Sequence, residues 1–166
     1  MNRRHKMINT DGFGYMVKSE LIDLNIDAAN EDDVFNYVAE QLKSNDYVND
    51  GYLEAIKTRE EKFPTGLLAP KITLAVPHVD AEYIKKPFVF IGKTTEPIDI
   101  KQMAINKDMQ TDNFCFLGIK DGKGQAGLLK NIIYALRDDE FIDSISNAND
   151  NIKIFNTYVK FLNKNN

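Results

Sequence analysis

Two side chains in the first half of the chain have the chemistry needed to carry an anion. His78 is one of only two histidines, and it follows Val76-Pro77 at the end of an alternating apolar run. A neutral imidazole is a good nucleophile with an ordinary pKa of about 6.5, so a ring nitrogen can accept a phosphoryl group near neutral pH and release it again. Arg59 lies upstream and offers a permanently charged planar fork that suits phosphate oxygens. The two residues have the chemistry that phosphoryl transfer needs, but by themselves they do not select that function.

Each of these residues, taken alone, also has an ordinary structural explanation. A surface histidine in a turn after a strand shows the same Pro-His pair, and a lone helical arginine commonly forms a surface ion pair. Asp80 orients the imidazole, acts as a carboxylate at the rim where a partner docks, or lies in a solvated turn, and the sequence leaves these interpretations open. No second histidine lies close enough to make a metal site, and the glycines before Lys123 have the wrong spacing for a nucleotide-binding loop. We therefore expect neither a metal ion nor a cofactor.

A strand and a helix must position this chemistry. Residues 72–76 alternate between large apolar and smaller side chains, which predicts a strand, and Pro77 ends its pairing because proline has no N–H to donate. His78 is thereby placed just beyond a strand end, where α/β proteins tend to bind ligands. Residues 49–63 predict an amphipathic helix that carries Arg59 near its last turn and ends at Pro64 and Gly66. Its inner face is predicted from Tyr52, Leu53, Ile56 and Phe63, and its solvated face from Glu60 and Glu61.

The order of these parts closely resembles the active-site region of a known family. Arg59, the tetrapeptide Phe63-Pro64-Thr65-Gly66, an alternating strand and the pair Pro77-His78 follow one another as they do in type 2 enzyme IIA. This is the fructose/mannitol-like group of the bacterial sugar phosphotransferase system. The tetrapeptide is most similar to the galactitol-type branch. The resemblance covers most of the chain, from about the first helix to the helix ending near Ala148.

The resemblance implies a role for each matching residue. It identifies His78 as the phosphoryl acceptor and Arg59 as the cation that stabilises the phosphate, with the hydroxyl of Thr65 nearby. Mannitol-like members have a second active-site histidine at the start of a later helix, where this chain has Gln125, as in the galactitol-like pattern. A glutamine amide donates a hydrogen bond to a phosphate oxygen without bringing charge, although a solvent-facing residue at a helix start would look the same.

The resemblance also implies partners. HPr would supply the phosphoryl group and a cysteine of a cognate enzyme IIB would receive it, while the membrane component enzyme IIC moves the sugar and mainly determines which sugar that is. An alternative is a regulatory IIA-like module, in which phosphorylation of His78 controls binding to another protein. The lack of a basic helix favours transport. A structural domain with a fortuitous Pro-His pair ranks last, because the whole block would then be coincidence.

Composition agrees with a carrier that works in the cytoplasm. The net charge of −4 argues against a nucleic-acid partner, and no apolar run is long enough to cross a bilayer. The basic tip, Arg3 to Lys6, lacks the apolar core of a signal peptide, so we expect a cytoplasmic protein with no membrane insertion. Cys115, the only cysteine, lies between Phe114 and Phe116, which predicts a buried, inert thiol and argues against an enzyme IIB.

Length and patterning predict one domain over residues 1–166, with residues 1–12 and 163–166 mobile. The stretch up to Ile26 contains a short strand, and residues 31–44 form a helix. Two continuous apolar runs, Phe88 to Ile91 and Phe114 to Leu117, are typical of strands covered on both faces. Three helices with apolar stripes follow. The fold class is therefore α/β, a single domain in which helices flank a small mixed β-sheet.

Overall fold

The computed structural model describes residues 12–163. Within that range the chain forms one sheet whose strands stand in the order β1-β4-β5-β3-β2. The strands are β1 Val17–Ile26, β2 Gly66–Leu68, β3 Thr73–Ala75, β4 Phe88–Lys101 and β5 Asp108–Gly118. The helices are α1 Glu31–Ser44, α2 Tyr52–Lys62, α3 Gly122–Ala135, α4 Asp139–Ser146 and α5 Asn151–Leu162.

The sheet is built around a long antiparallel hairpin. β4 and β5 pair from Phe88 opposite Gly118 to Lys101 opposite Asp108. β1 lies parallel to β4 on one side, and β3 lies parallel to β5 on the other, with β2 antiparallel to β3 at the edge. The predicted α/β class, with a mixed sheet flanked by helices, is confirmed.

Alternation along the central strands supplies both halves of the core. Phe114 and Phe116 of β5 face α1 and α2, whereas Cys115 and Leu117 face α3, α4 and α5. The ring of Phe116 packs edge-to-face on Phe35 of α1, with 5.3 Å between ring centroids. Helices therefore cover both faces of the sheet, as the continuous apolar runs predicted. Cys115 is fully buried, as expected.

Side-chain caps fix where the helices begin. α1 begins at Glu31 because the Asn30 side chain accepts a hydrogen bond from the Asp33 N–H at 2.9 Å. The Asp121 carboxylate caps α3 in the same way by accepting from the Gly124 N–H. Asp138 and Asp150 cap α4 and α5. α1 has the bounds that the sequence predicted.

The strands are longer than the apolar runs alone predicted. β1 has 10 residues rather than a short segment, and β4 has 14. The extra length of β4 is mostly polar apart from buried Ile98 and Ile100, and it includes exposed Pro97, which lies where the register with β5 shifts between Lys93 and Ile98. A proline is tolerated there because the irregular pairing does not require an N–H donor at this position.

The placement of Phe63 in the inner face of α2 is wrong. α2 ends at Lys62, and Phe63 follows as its C-terminal cap with 62% of its surface exposed. Helical spacing no longer applies once the chain has left the helix.

Arg3, Arg4, His5 and Lys6, together with most of the expected mobile ends, lie outside the described residues. At the described boundary the Asn163 side chain accepts a hydrogen bond from the Gly14 N–H at 2.9 Å. None of the helices between residues 12 and 163 has the length and apolarity to cross a membrane.

Candidate functional site

Main-chain pairing on both sides holds the segment that carries His78. The Val76 N–H donates to the carbonyl oxygen of Thr65 at 3.2 Å, and the Leu117 N–H donates to the carbonyl oxygen of Pro77 at 3.0 Å. β3 and β5 are parallel, so His78 lies at the carboxyl ends of both strands, as predicted from Val76-Pro77. That end of a parallel pair is where α/β sheets place ligand sites.

One hydrogen bond fixes which ring nitrogen of His78 is free to react. Nδ1 lies 2.7 Å from the carbonyl oxygen of Val76. A carbonyl oxygen can only accept, so Nδ1 must carry the proton and donate. In the neutral ring the lone pair then resides on Nε2, which is the nitrogen available as a nucleophile.

The surroundings of His78 favour the neutral ring. Only 7% of the residue is exposed, and this burial lowers the pKa of His78 below its ordinary 6.5. The positive charge of Arg59 lowers the pKa further, while the bond to Val76 and the charge of Asp80 act in the opposite direction. At pH 7 the imidazole is therefore largely unprotonated, the state that can attack phosphorus.

Arg59 lies beside the segment that carries His78, and some of its N–H donors have no partner among the described residues. Its Nη1 pairs with an Asp80 carboxylate oxygen at 3.3 Å, and its guanidinium lies 5.4 Å from the centroid of the Phe63 ring. The Nε atom is buried and has no hydrogen-bond partner among the described residues. A guanidinium with unused N–H groups is prepared to bind an anion.

Asp80 therefore pairs with Arg59. Its side chain is 76% exposed, and the Nδ1 atom of His78 is already bonded to Val76. Of the interpretations left open by the sequence, an orienter of Nδ1 does not fit this geometry, a solvated position does, and a carboxylate at the rim where a partner docks stays a prediction. Asp80 is also the counterion of Arg59.

A shallow groove of about 730 Å³ opens beside this pair. Val79 and Asp80, the two residues after His78, form one wall, and Arg59 with Phe63 forms another. The exposed Phe63 ring gives the groove an apolar margin next to a cation. The surface combines charge for an anion with apolar area for a protein partner.

The hydroxyl of Thr65 is occupied by a hydrogen bond and is not free to contact a phosphate. Its Oγ1 donates to the carboxylate of Glu60 at 2.9 Å, and its N–H donates to the same carboxylate at 2.9 Å. Next to it, a methyl group on Gly66 would lie 2.5 Å from the carbonyl oxygen of Lys101, which is too close, so this position requires glycine. The tetrapeptide thus forms a tightly packed turn between α2 and β2.

Gln125 lies near His78, in the first turn of α3. Its amide Nε2 donates to the carbonyl oxygen of Val79 at 3.4 Å. α3 follows directly from β5, so the N-terminus of this helix, with its partial positive charge, lies on the same side of the sheet as His78. The fold thus brings Arg59, His78, Asp80 and Gln125 together from three separate parts of the chain.

Glu60 is the residue that sequence reasoning misplaced. It was assigned to the solvated face of α2, but only 5% of it is exposed. The correct signal was present, because Tyr52, Ile56 and Glu60 follow one another at four-residue spacing on one helical face. Its charge argued against burial, but two hydrogen bonds from Thr65 compensate for the lost water.

A second carboxyl shares the surroundings of Glu60. A cavity of about 510 Å³ between α1 and α2 is lined by both Glu31 and Glu60. Burial raises the pKa of each group to about 7, and the charge of Glu60 contributes to the rise for Glu31. Two carboxyls that resist ionisation in one cavity make this region sensitive to pH.

We expect Glu31→Gln to stabilise the protein at pH 8 but not at pH 5. The folded state raises the pKa of Glu31 from 4.5 to about 7, so it binds the proton more tightly than the unfolded chain does. The resulting stability is complete below pH 4.5 and is lost as the pH rises through about 7. Glutamine removes that loss. The expected gain at pH 8 is about 1 kcal/mol, discounted because the cavity is open to solvent.

Urea unfolding at the two pH values measures this difference in the free energy of unfolding. The matched control is Glu61→Gln, because Glu61 lines the same cavity but is exposed, and we expect little change from it. A loss of stability in Glu31→Gln that is equal at both pH values would contradict the assignment of Glu31.

Metal ligation has no support in this region. Across the part of the chain that the structure describes, no three histidine, cysteine, aspartate or glutamate side chains are grouped so as to hold a metal ion. The groups beside the groove that can bond to an anion through nitrogen are the His78 imidazole, the Arg59 guanidinium and the Gln125 amide.

Comparison with known proteins identifies the family of this chain. Residues 16–160 match the family model described as the phosphoenolpyruvate-dependent sugar phosphotransferase system, EIIA 2. The chain belongs to this family. The resemblance inferred from the sequence is thereby confirmed, and IIA components of this kind are phosphotransferase components of sugar phosphotransferase systems.

Individual EIIA proteins show how far the similarity extends. The galactitol-specific EIIA component of Escherichia coli K12 is 20% identical over 113 residues, covering 68% of this chain and 75% of that protein. Enzyme IIA-Mtl of E. coli, solved in complex with phosphorylated enzyme IIB-Mtl, has a TM-score of 0.69 at 19% identity, covering 87% of this chain and 99% of that one. The nitrogen regulatory protein IIA-Ntr of Neisseria meningitidis has a TM-score of 0.68 at 15% identity, covering 87% and 97%. The two solved structures share the fold of this EIIA chain.

Proposed function

We propose that this EIIA protein is the phosphocarrier of a sugar phosphotransferase system, with His78 as the residue that carries the phosphoryl group. The observation that carries the proposal is the bond from Nδ1 to the Val76 carbonyl, which leaves Nε2 free at a strand end beside Arg59. Family membership supplies the reaction class, and the named complex of a similar fold with phosphorylated enzyme IIB-Mtl supports enzyme IIB as a partner.

The incoming step is an in-line displacement at phosphorus. The Nε2 lone pair of His78 attacks the phosphoryl group of phospho-HPr, the phosphorus–nitrogen bond to the HPr histidine breaks, and that histidine leaves with the bonding electrons. The Nδ1 proton stays in its bond to Val76 throughout. Arg59 and the amide of Gln125 compensate the charge on the transferred oxygens.

The outgoing step reverses the roles. A thiolate of a cognate enzyme IIB attacks phosphorus, the bond to Nε2 breaks, and His78 returns to the neutral tautomer from which it began. Its lowered pKa assists both steps, because the ring accepts the group unprotonated and leaves unprotonated. Enzyme IIC then completes uptake of the sugar in the membrane.

The direct test mixes the wild-type protein with enzyme I, HPr and phosphoenolpyruvate, and follows it by intact mass and phosphorus NMR. We expect one phosphoryl adduct, bonded to nitrogen and lost in acid, that disappears when a cognate enzyme IIB is added. No adduct in a mixture that phosphorylates an established IIA protein would overturn the proposal.

A regulatory module is the second candidate. The fold likeness to IIA-Ntr, a nitrogen regulatory protein, favours it as strongly as the likeness to IIA-Mtl favours transport, because both concern the fold alone. The same experiment separates the two functions. An adduct that forms but stays on His78 when enzyme IIB proteins are added, and that changes binding to a non-transport protein, would favour regulation.

A further inference from the structure

Glu60 connects the two elements that carry the proposed reaction. It follows Arg59 on α2, and its carboxylate accepts from both the N–H and the hydroxyl of Thr65 across the turn that leads into β2. The turn is thereby closed from the inside. Charge-assisted hydrogen bonds of this kind are about twice as strong as neutral ones.

The contacts continue from Thr65 to the imidazole. The carbonyl oxygen of Thr65 accepts the Val76 N–H at 3.2 Å, and the carbonyl oxygen of Val76 accepts the proton on Nδ1 of His78 at 2.7 Å. The Thr65 turn therefore fixes the position of the Val76 backbone. The Val76 carbonyl in turn fixes the orientation of the imidazole. Three hydrogen-bonded links lead from Glu60 to His78.

Glu60 is an ionisable residue at a buried position, and its two acceptor bonds make its carboxylate specific to this turn. An apolar side chain of similar volume would leave the N–H and the hydroxyl of Thr65 without their partner. Burial raises the pKa of Glu60 to about 7, which shows that ionisation is resisted there. The charge of Arg59 acts on Glu60 in the opposite direction. The charged groups that line the cavity of Glu60 come from three elements: Glu31, Asp32, Glu54, Lys57, Glu61 and Lys101.

We propose that Glu60 is a positioning residue for phosphoryl transfer, holding the Thr65 turn so that the Val76 carbonyl keeps the proton of His78 on Nδ1 and the lone pair on Nε2. This inference rests on the proposed function of His78. Glu60 itself does not touch the phosphoryl group. Glu60 affects the rate of transfer only because it helps to fix the orientation and the tautomer of the His78 ring.

The test compares Glu60→Ala with Glu60→Gln. Glutamine can accept the Thr65 N–H and donate to its hydroxyl, so it preserves the turn, whereas alanine removes every contact. Nitrogen-15 NMR of the His78 ring reports the tautomer without any need for phosphate. The rate of labelling by phospho-HPr reports transfer, and thermal unfolding reports stability. Glu61→Ala is the matched control, because Glu61 is adjacent on α2 and exposed.

We expect Glu60→Ala to give a mixture of His78 tautomers and to slow labelling by about 10- to 100-fold, the scale expected for a misplaced reacting group. Glu60→Gln is expected to keep the Nδ1–H tautomer and a rate within about 3-fold of wild type. If Glu60→Ala does not fold, Thr65→Val replaces it. Valine removes the hydroxyl but keeps the N–H donor, and we expect a partial shift of tautomer.

Two results would overturn the inference. One is a wild-type tautomer in a folded Glu60→Ala or Thr65→Val protein, and the other is a loss of rate in Glu60→Ala that Glu60→Gln fails to restore. The proposed function is tested separately. A shifted tautomer in Glu60→Ala, together with a wild-type protein that accepts no phosphate, would support the link from Glu60 to His78 while overturning the phosphocarrier role.

Discussion

His78→Ala is expected to reduce labelling by phospho-HPr to background. Neither Arg59 nor Gln125 has a nitrogen with a free lone pair of comparable basicity, so no neighbour can replace the imidazole as acceptor. The fold should persist, because the bonds that hold the segment join the main chains of Thr65, Val76, Pro77 and Leu117. Intact mass after exposure to enzyme I, HPr and phosphoenolpyruvate checks this result.

The chain offers its own control for that experiment. His5 is the other histidine, and we expect His5→Ala to be labelled like the wild-type protein. His78→Gln adds a second test, because glutamine retains much of the volume and polarity of the ring but cannot form a stable bond to phosphorus. Labelling of either His78 variant at the wild-type level would refute the assignment.

Arg59→Ala is expected to slow phosphoryl transfer by about 100-fold, the usual cost of losing one preorganised donor to a developing charge. Stability should change little, because the ion pair with Asp80 is partly solvated and such pairs contribute at most about 1 kcal/mol. Arg59→Lys keeps the charge but loses the planar fork, and an intermediate rate is expected. Single-turnover labelling by phospho-HPr measures all three proteins.

Arg137 provides a matched control for the arginine variant. Its guanidinium lies 5.5 Å from the centroid of the Tyr134 ring, much as Arg59 lies over Phe63. It is exposed and lies beyond the end of α3 opposite to Gln125, roughly 15 Å away along the helix axis. Arg137→Ala should therefore transfer phosphate at the wild-type rate. An equal reduction in both variants would mean that Arg59 acts only through general surface charge.

The sequence predicted those parts of the fold whose patterns are local. The alternation that ends at Val76-Pro77 placed His78 at a strand end, and the helical periodicity predicted α1 over residues 31–44. β4 was underestimated because its second half is mostly polar and contains Pro97, which only a shift of register accommodates. Local patterns do not show which irregularities a partner strand will tolerate.

The site was predicted less completely than the fold. The resemblance assigned roles to His78, Arg59, Thr65 and Gln125; the fold brings all four to one region, and their roles stay predictions. The direction of the Thr65 hydroxyl was not predictable, because it depends on the burial of Glu60, and that burial depends on how the turn closes over α2. The ion pair of Asp80 was not predictable either, because its partner Arg59 is 21 residues away in the sequence.

The two-sided pairing around Pro77 has a kinetic consequence. Ordering a mobile loop at the moment of reaction would cost conformational entropy, but this backbone is already fixed by bonds to Thr65 and Leu117. The backbone around His78 therefore needs little reorganisation when a partner protein binds. In the proposed relay, throughput would then depend chiefly on how often correctly oriented partners meet this surface, and such encounters between charged proteins vary with ionic strength.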